Sequence, residues 1–210
     1  MRMHITYKNS FKNLPVNASK ALNLGLYTEI LESIHSQLMA IMSMHSRVSV
    51  LRFDLHFPRK SYSDAKLENS VVSSFLKRVK DHLRSSKWGK HKHIVTGAVR
   101  EVGTSKSGHY HVFIAFKAIY RRLGAFSGEG HSGLWGLLET SWKSASGGSI
   151  HFSLPHLLNR GDHTAFARCF RHLSYLAKVR DKHFGTGEHH KRFFFTRLKI
   201  KKAEATAIAV

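Results

Sequence analysis

The chain has 210 residues, enough for one ordinary buried core and too few for two large domains plus a motor. Lysine and arginine number 34 against 13 acidic residues, a formal charge of +21, yet 42% of the residues are hydrophobic; this excludes a merely disordered basic tail and calls for a polyanionic partner, most commonly nucleic acid. The single Cys169 excludes a disulfide framework and a cysteine zinc site. No apolar run is long enough to cross a membrane and no phosphate-loop motif is present, so the sequence predicts a soluble, cytoplasmic protein without its own nucleotide-driven motor.

Residues 1–18 read as a polar, basic arm around Pro15. From Ala21 to His45, Leu22, Leu26, Ile30, Ile34, Leu38 and Ile41 mark one face of an amphipathic helix. Val48 to Phe57 then alternates, with Val48, Val50, Arg52, Asp54 and His56 opposite Ser49, Leu51, Phe53, Leu55 and Phe57, which predicts a strand with one buried face and one face carrying polar chemistry. Pro58 ends it. Asp64 to Leu83 returns to helical spacing. Two strands follow, His93–Val102 and His109–Lys117, joined by the turn-rich segment 103–108. A glycine-rich stretch, 124–133, leads into a helix from Leu134 to Ala145, then a short strand near Ile150–Ser153, a helix from His163 to Lys182, and a basic aromatic strand from Arg192 to Lys199. The order predicts an α+β fold with a mainly antiparallel central sheet and flanking helices. It divides as an arm and helix over 1–46, the main domain over 47–200 and a loose tail over 201–210.

His109 and His111 stand two apart on a strand, so both imidazoles leave the same face and can chelate one divalent ion, while Tyr110 and Val112 point into a core. The same spacing also suits two solvent-facing histidines on a chain with 17 of them. If the segment 103–107 bends, the antiparallel register brings Glu101 roughly opposite His109, and one carboxylate with two imidazoles suits Mg²⁺ or Mn²⁺ with open positions for phosphate oxygens. A surface salt bridge is the other reading of Glu101. The pair His91 and His93, in the basic run Lys87–Lys92, reads as a phosphate-contacting rim. On the last helix Phe166, Cys169, Phe170, Leu173, Leu176 and Ala177 form a buried stripe, and Tyr175 and Lys178 share the opposite face with Arg171 and His172 one turn earlier. Cations around a tyrosine suit an attacking phenol and can also hold the scissile phosphate; an ordinary surface tyrosine fits the same spacing.

A strand of alternating polar residues, then Arg100-Glu101 and His109-Tyr110-His111-Val112, then Tyr175-Leu-Ala-Lys-Val-Arg-Asp181, in that order, resembles the HUH endonucleases. Within them it is similar to the rolling-circle replication initiators of filamentous-phage-like elements and their prophage relatives, over about residues 48–200. The resemblance implies a central antiparallel sheet with the nucleophile helix packed beside it. It implies that Glu101, His109 and His111 bind the metal, that Tyr175 attacks single-stranded DNA at a replication origin, and that Lys178 orients or neutralises the phosphate. A 5′-phosphotyrosine intermediate and a 3′-OH for a host polymerase follow, with unwinding left to a host helicase. Asp54 and His56 correspond loosely to the family's first motif. Many phage initiators carry a second tyrosine four residues on, where this chain has Val179, which puts a two-tyrosine mechanism in doubt.

Arg52, Asp54 and His56 on the first strand, Arg171 and His172 on the last helix, and Arg192 and Arg197 beside Phe193–Phe195 are the expected nucleic-acid contacts. Two other functions fit the same residues. A non-catalytic origin-binding repressor on this scaffold would explain the charge, and a single-tyrosine transposase or relaxase would share the chemistry in another biological role.

Overall fold

Three long strands with period-two side chains form the centre of the molecule, in a computed structural model that describes residues 3–58, 64–102, 108–118, 123–124, 126–127, 130–180, 182 and 192–201. Strand β1 (Arg47–His56) lies beside β3 (Gly108–Lys117), which lies beside β2 (Ile94–Val102), and every pairing is antiparallel. On the outer edge of β1, β4 (Ser149–Phe152) pairs with residues 53–56 and β5 (His156–Asn159) with residues 47–50. At the opposite edge β6 (Phe193–Phe195) pairs with β2. The sequence predicts only the first of the two outer pieces. Ser153, Leu154 and Pro155 separate them, and proline has no N–H for the ladder, so one edge is made of two short strands.

Helices cover both faces of this sheet. Helix α1 (Thr28–Met44) and helix α4 (His163–Leu173) lie on one side, where Ile30, Ile34, Leu38, Cys169, Phe170 and Leu173 share a core with Val48, Val50, Val99 and Phe113. Helices α2 (Ala65–Arg84) and α3 (Gly133–Ser146) lie on the other, with Val72, Phe75, Leu138 and Trp142 packed on Phe53, Tyr110, Val112 and Phe116. Each fully buried Leu, Ile or Phe contributes roughly 1.5–3 kcal/mol, so both layers are needed to hold a strongly cationic chain together. The architecture is α+β around an antiparallel sheet. Strand β1 is buried on both faces at its first half, because Val48 and Val50 sit under α1 rather than on an open polar face.

The first helix begins at Thr28 and not at Ala21. Leu22 is exposed, Asn23 takes a left-handed φ of 49°, and Leu26–Tyr27 forms a short strand paired with Ile5–Thr6. The crossing is close at Gly25, where a Cβ would stand 2.7 Å from Cγ2 of Ile5. Residues of the predicted arm are thereby folded onto the body: Val16 is buried, and the Phe11 ring stacks near Phe170 at 6.3 Å. Helix α2 starts one residue after the predicted Asp64, whose side chain caps it by accepting from the Lys66 N–H at 2.8 Å. The last helix is shorter than predicted. It ends at Leu173, and Ser174–Ala177 continue as a 3₁₀ turn. His91 is also not on a rim: it is buried, with its ring 5.3 Å from that of Phe116, because the chain folds back from α2 under the end of β3. The predicted turn 103–107 and the segment 202–210 of the predicted tail lie outside the described residues. Among the described residues no helix is long and apolar enough to cross a membrane.

Candidate metal centre

Along the sheet face that packs on α1 and α4, the chemistry changes from one end of the strands to the other. The row begins with Val48, Val50 and Ala115 and ends with Arg52, Asp54, His56, Glu101, His109 and His111. Strand register does the assembling. His109 is paired with His56 on one side and with Glu101 on the other, and His111 is paired with Asp54. Oε2 of Glu101 lies 3.3 Å from Nε2 of His109 and 3.0 Å from Nε2 of His111. One ligand atom from each of these three side chains lies within 4.8 Å of the others, a spacing that can hold a metal ion.

These residues fit a metal ion. Nδ1 of His111 is 2.7 Å from Oδ1 of Asp54, a contact that fixes the ring and leaves Nε2 facing Glu101. Among the described residues that Nε2, buried 3.0 Å from Oε2 of Glu101, has no hydrogen-bond partner. Two imidazoles and a carboxylate form a donor set for a borderline or hard ion. The electrostatics agree. Burial alone would raise the Glu101 carboxyl, but the two imidazoles and the ammonium of Lys182 hold it well below the usual carboxylate range. Burial also opposes ionisation of Asp54, and His111 and Arg52 outweigh it, so Asp54 too is lowered. Burial disfavours charge on His111, yet the two flanking carboxylates raise its pKa above the ordinary value, so positive charge is favoured between them.

Two supporting pairs are not legible from the sequence. The Lys182 ammonium, fully buried, bonds Oε1 of Glu101, so one carboxylate oxygen is occupied and the other faces the histidines. The Lys182 carbonyl in turn accepts from the Arg192 guanidinium at 2.7 Å, while the Arg192 carbonyl accepts from the Arg100 N–H at 2.8 Å. Arg192, expected as a nucleic-acid contact, is buried and holds the Lys182 carbonyl. On the reverse face of the sheet, the Arg100 Nε donates to Glu68 at 2.6 Å, and Glu68 also accepts from the Gly108 N–H at 3.3 Å. A Cβ at position 108 would collide with that carboxylate and come within 2.9 Å of Arg100 Nε, so glycine is required where β3 enters the site.

Tyr175 reaches the same face from the 3₁₀ turn. Its ring is 5.1 Å from the His111 ring at 86°, the Arg52 guanidinium carbon lies 4.4 Å from its centroid, and Nζ of Lys178 lies 3.4 Å from it. The contact with Lys178 follows from the turn, since residues three apart eclipse in a 3₁₀ helix. His56 stacks on His109 at 5.4 Å and 7°, and also meets His151 at 4.8 Å, a histidine that the sequence reading passed over. His172 pairs with His156 at 2.8 Å, and burial together with Arg52 pushes it down to about 4. Arg171 and Arg197 are exposed. The Arg171 carbonyl accepts from Asn17 Nδ2, and Arg197 follows Thr196, which pairs with Thr96 at the end of β2 away from Glu101, so the fold does not bring Arg197 to the centre.

The fold and site define an α+β protein with an antiparallel sheet bearing a buried glutamate–histidine–histidine group that can hold a metal ion. The chain belongs to the family described as the YagK/YfjJ C-terminal domain, which matches residues 6–193. Searches of curated proteins and of solved structures found no match.

Proposed function

We propose that this protein is a metal-dependent, sequence-specific single-stranded DNA endonuclease and strand transferase of the HUH rolling-circle kind, with Tyr175 as its nucleophile. One juxtaposition carries the reading: the Tyr175 ring stands 5.1 Å from His111, on the sheet face that bears Glu101, His109 and His111. A tyrosine flanked by two cations beside a potential metal site has the parts that phosphodiester transfer needs, and the +21 charge suits a DNA substrate.

Glu101, His109 and His111 would hold a divalent ion, Mg²⁺ or Mn²⁺, which when bound polarises the scissile phosphate and neutralises its growing charge. Asp54 fixes the His111 ring and Lys182 holds Glu101, so the donors are oriented before substrate arrives. Tyr175 Oη attacks phosphorus, and the bond from phosphorus to the 3′ oxygen breaks as the phosphotyrosine bond forms. The phenolic proton is released and the departing 3′ oxygen takes one up. Arg52 and Lys178 neutralise the phosphate beside the ring. One phosphodiester replaces another, so the step is reversible and the same residues can rejoin a strand. The released 3′-OH suits a host polymerase at a replication origin of a phage-like or plasmid element. A host helicase would supply unwinding.

The test is an adduct assay. Purified protein with Mn²⁺ and a pool of single-stranded oligonucleotides is expected to form a denaturation-resistant protein–DNA adduct on a subset of sequences, lost with chelator and lost in Tyr175→Phe. An adduct that persists in Tyr175→Phe would show the nucleophile to be another residue. Selective DNA binding with metal present but no adduct on any sequence would make the protein an origin-binding repressor and not an enzyme.

A further inference from the structure

At the end of the sheet away from the metal centre, a cavity of about 580 Å³ opens between the start of β1, the end of β3 and β5. Its walls mix two chemistries. Met44, Leu123 and Leu157 are apolar, whereas Arg47 and Lys117 are cationic and His45 adds an imidazole. Among the described residues no carboxylate lines it, and neither Arg47 nor Lys117 has an acidic partner. Buried Nε2 of His45 has no hydrogen-bond partner among the described residues. The carbonyls at the C-terminus of α1, which would repel an anion, are covered: the Arg160 guanidinium donates to Met42 at 3.0 Å and to Ser43 at 3.4 Å.

From the arrangement of these residues we infer that the cavity is a second DNA subsite, which takes a nucleotide of the single strand with its phosphate on Arg47 and Lys117 and its base against Met44, Leu123 and Leu157. This rests on the reading that the substrate is single-stranded DNA. An inorganic anion would leave the apolar walls unused, and an apolar ligand would leave the cations unused; a nucleotide uses both. The cavity is also joined to the candidate centre. His156 lines it and lies 2.8 Å from His172, which is under the field of Arg52, and Arg52 packs on Tyr175. From Ser49 to Asp54 the strand covers about 16 Å, a span that a few nucleotides bridge. The strand would run from the cavity along His156, His172 and Arg52 to Tyr175, so that a base held remotely sets which phosphate meets the nucleophile.

The full chain is tested by fluorescence anisotropy with a short labelled oligothymidylate in the presence of chelator, so that binding is read without cleavage. Arg47→Glu/Lys117→Glu is compared with Lys66→Glu/Arg78→Glu, an equal charge change at exposed positions of α2. The cavity pair is expected to weaken binding about tenfold more than the α2 pair. Leu157→Ser, which changes no charge, is expected to weaken it several-fold. Thymidine monophosphate is expected to compete for the oligonucleotide at concentrations where inorganic phosphate does not. Equal losses in the two charge pairs, no effect of Leu157→Ser, or equal competition by phosphate would each overturn the subsite. The same variants are then run in the adduct assay at saturating DNA. Cavity effects without any adduct in the wild type would sink the enzymatic reading alone, and adducts without cavity effects would sink the subsite alone.

Discussion

The Tyr175 ring meets the His111 ring edge-on, at 5.1 Å and 86°, although one lies on a central strand and the other on a turn after the last helix. The meeting depends on where α4 stops. The Ser174 hydroxyl donates to the Arg171 carbonyl at 2.7 Å and accepts from the Asn17 N–H at 2.9 Å, which ties the helix end to the N-terminal segment. Beyond it, Val179 N–H donates to the Gly25 carbonyl at 3.0 Å. The nucleophile candidate is thus held from both sides by residues far from it in sequence.

On the proposed mechanism, Arg52→Ala and Lys178→Ala are expected to slow adduct formation by about ten- to a hundredfold each without abolishing it, because each removes a cation from beside the ring and leaves the phenol in place. Single-turnover rates on the best oligonucleotide from the pool check this. Rates equal to wild type in both variants would remove these residues from the chemistry.

Asp54→Asn is expected to weaken Mn²⁺ binding about ten- to a hundredfold, since it replaces the carboxylate that orients His111 with a neutral amide. Glu101→Gln, which changes a donor itself, should weaken it further. Titration calorimetry at fixed pH measures both. Unchanged affinity in Asp54→Asn would mean that the His111 ring is oriented by packing alone.

The pair of Glu68 and Arg100 is buried on the face behind the centre. Glu68→Gln is expected to cost about 3–5 kcal/mol in urea unfolding, because it leaves a buried guanidinium without its countercharge. Glu68→Leu/Arg100→Met should recover much of that loss, as apolar side chains of similar size leave no stranded charge. A single variant within about 0.5 kcal/mol of wild type would show that water reaches the pair.

Burial, Arg52 and His156 push His172 down to about 4 from an ordinary value of 6.5. Between those values the unfolded chain binds a proton that the native protein does not, so stability falls as pH drops from 6.5 toward 4 and this contribution levels off below 4. Because the imidazole is only half-buried, solvent screening reduces the effect, and wild type should lose on the order of 2 kcal/mol more than His172→Asn between neutral pH and the bottom of that window. Parallel unfolding curves for the two proteins across the window would contradict the assignment.

Helix α2, helix α3 and the three long strands are legible because their patterns are local. Asp64 caps one helix, and the alternation from Val48 to His56 can only place Asp54 and His56 on one face. The pairing of Glu101 with His109 is legible for the same reason, since a short bend between two strands leaves little choice of register. Lys182 and Arg192 are a different case. In sequence they read as a helix end and a DNA contact, yet both are buried, and nothing local distinguishes a lysine facing water from one bonded to a glutamate across the sheet.

By itself, then, the sequence determined the strand and helix periods, the shared face of Glu101, His109 and His111, and the cationic balance that calls for a polyanion. Only the tertiary structure decided that α4 ends at Leu173, that a 3₁₀ turn sets Lys178 over Tyr175, and that this turn packs on the face of the histidines. The physical reason is range: side-chain direction along a strand follows from covalent geometry, whereas burial of a charge and the stopping point of a helix depend on partners the chain meets only when folded.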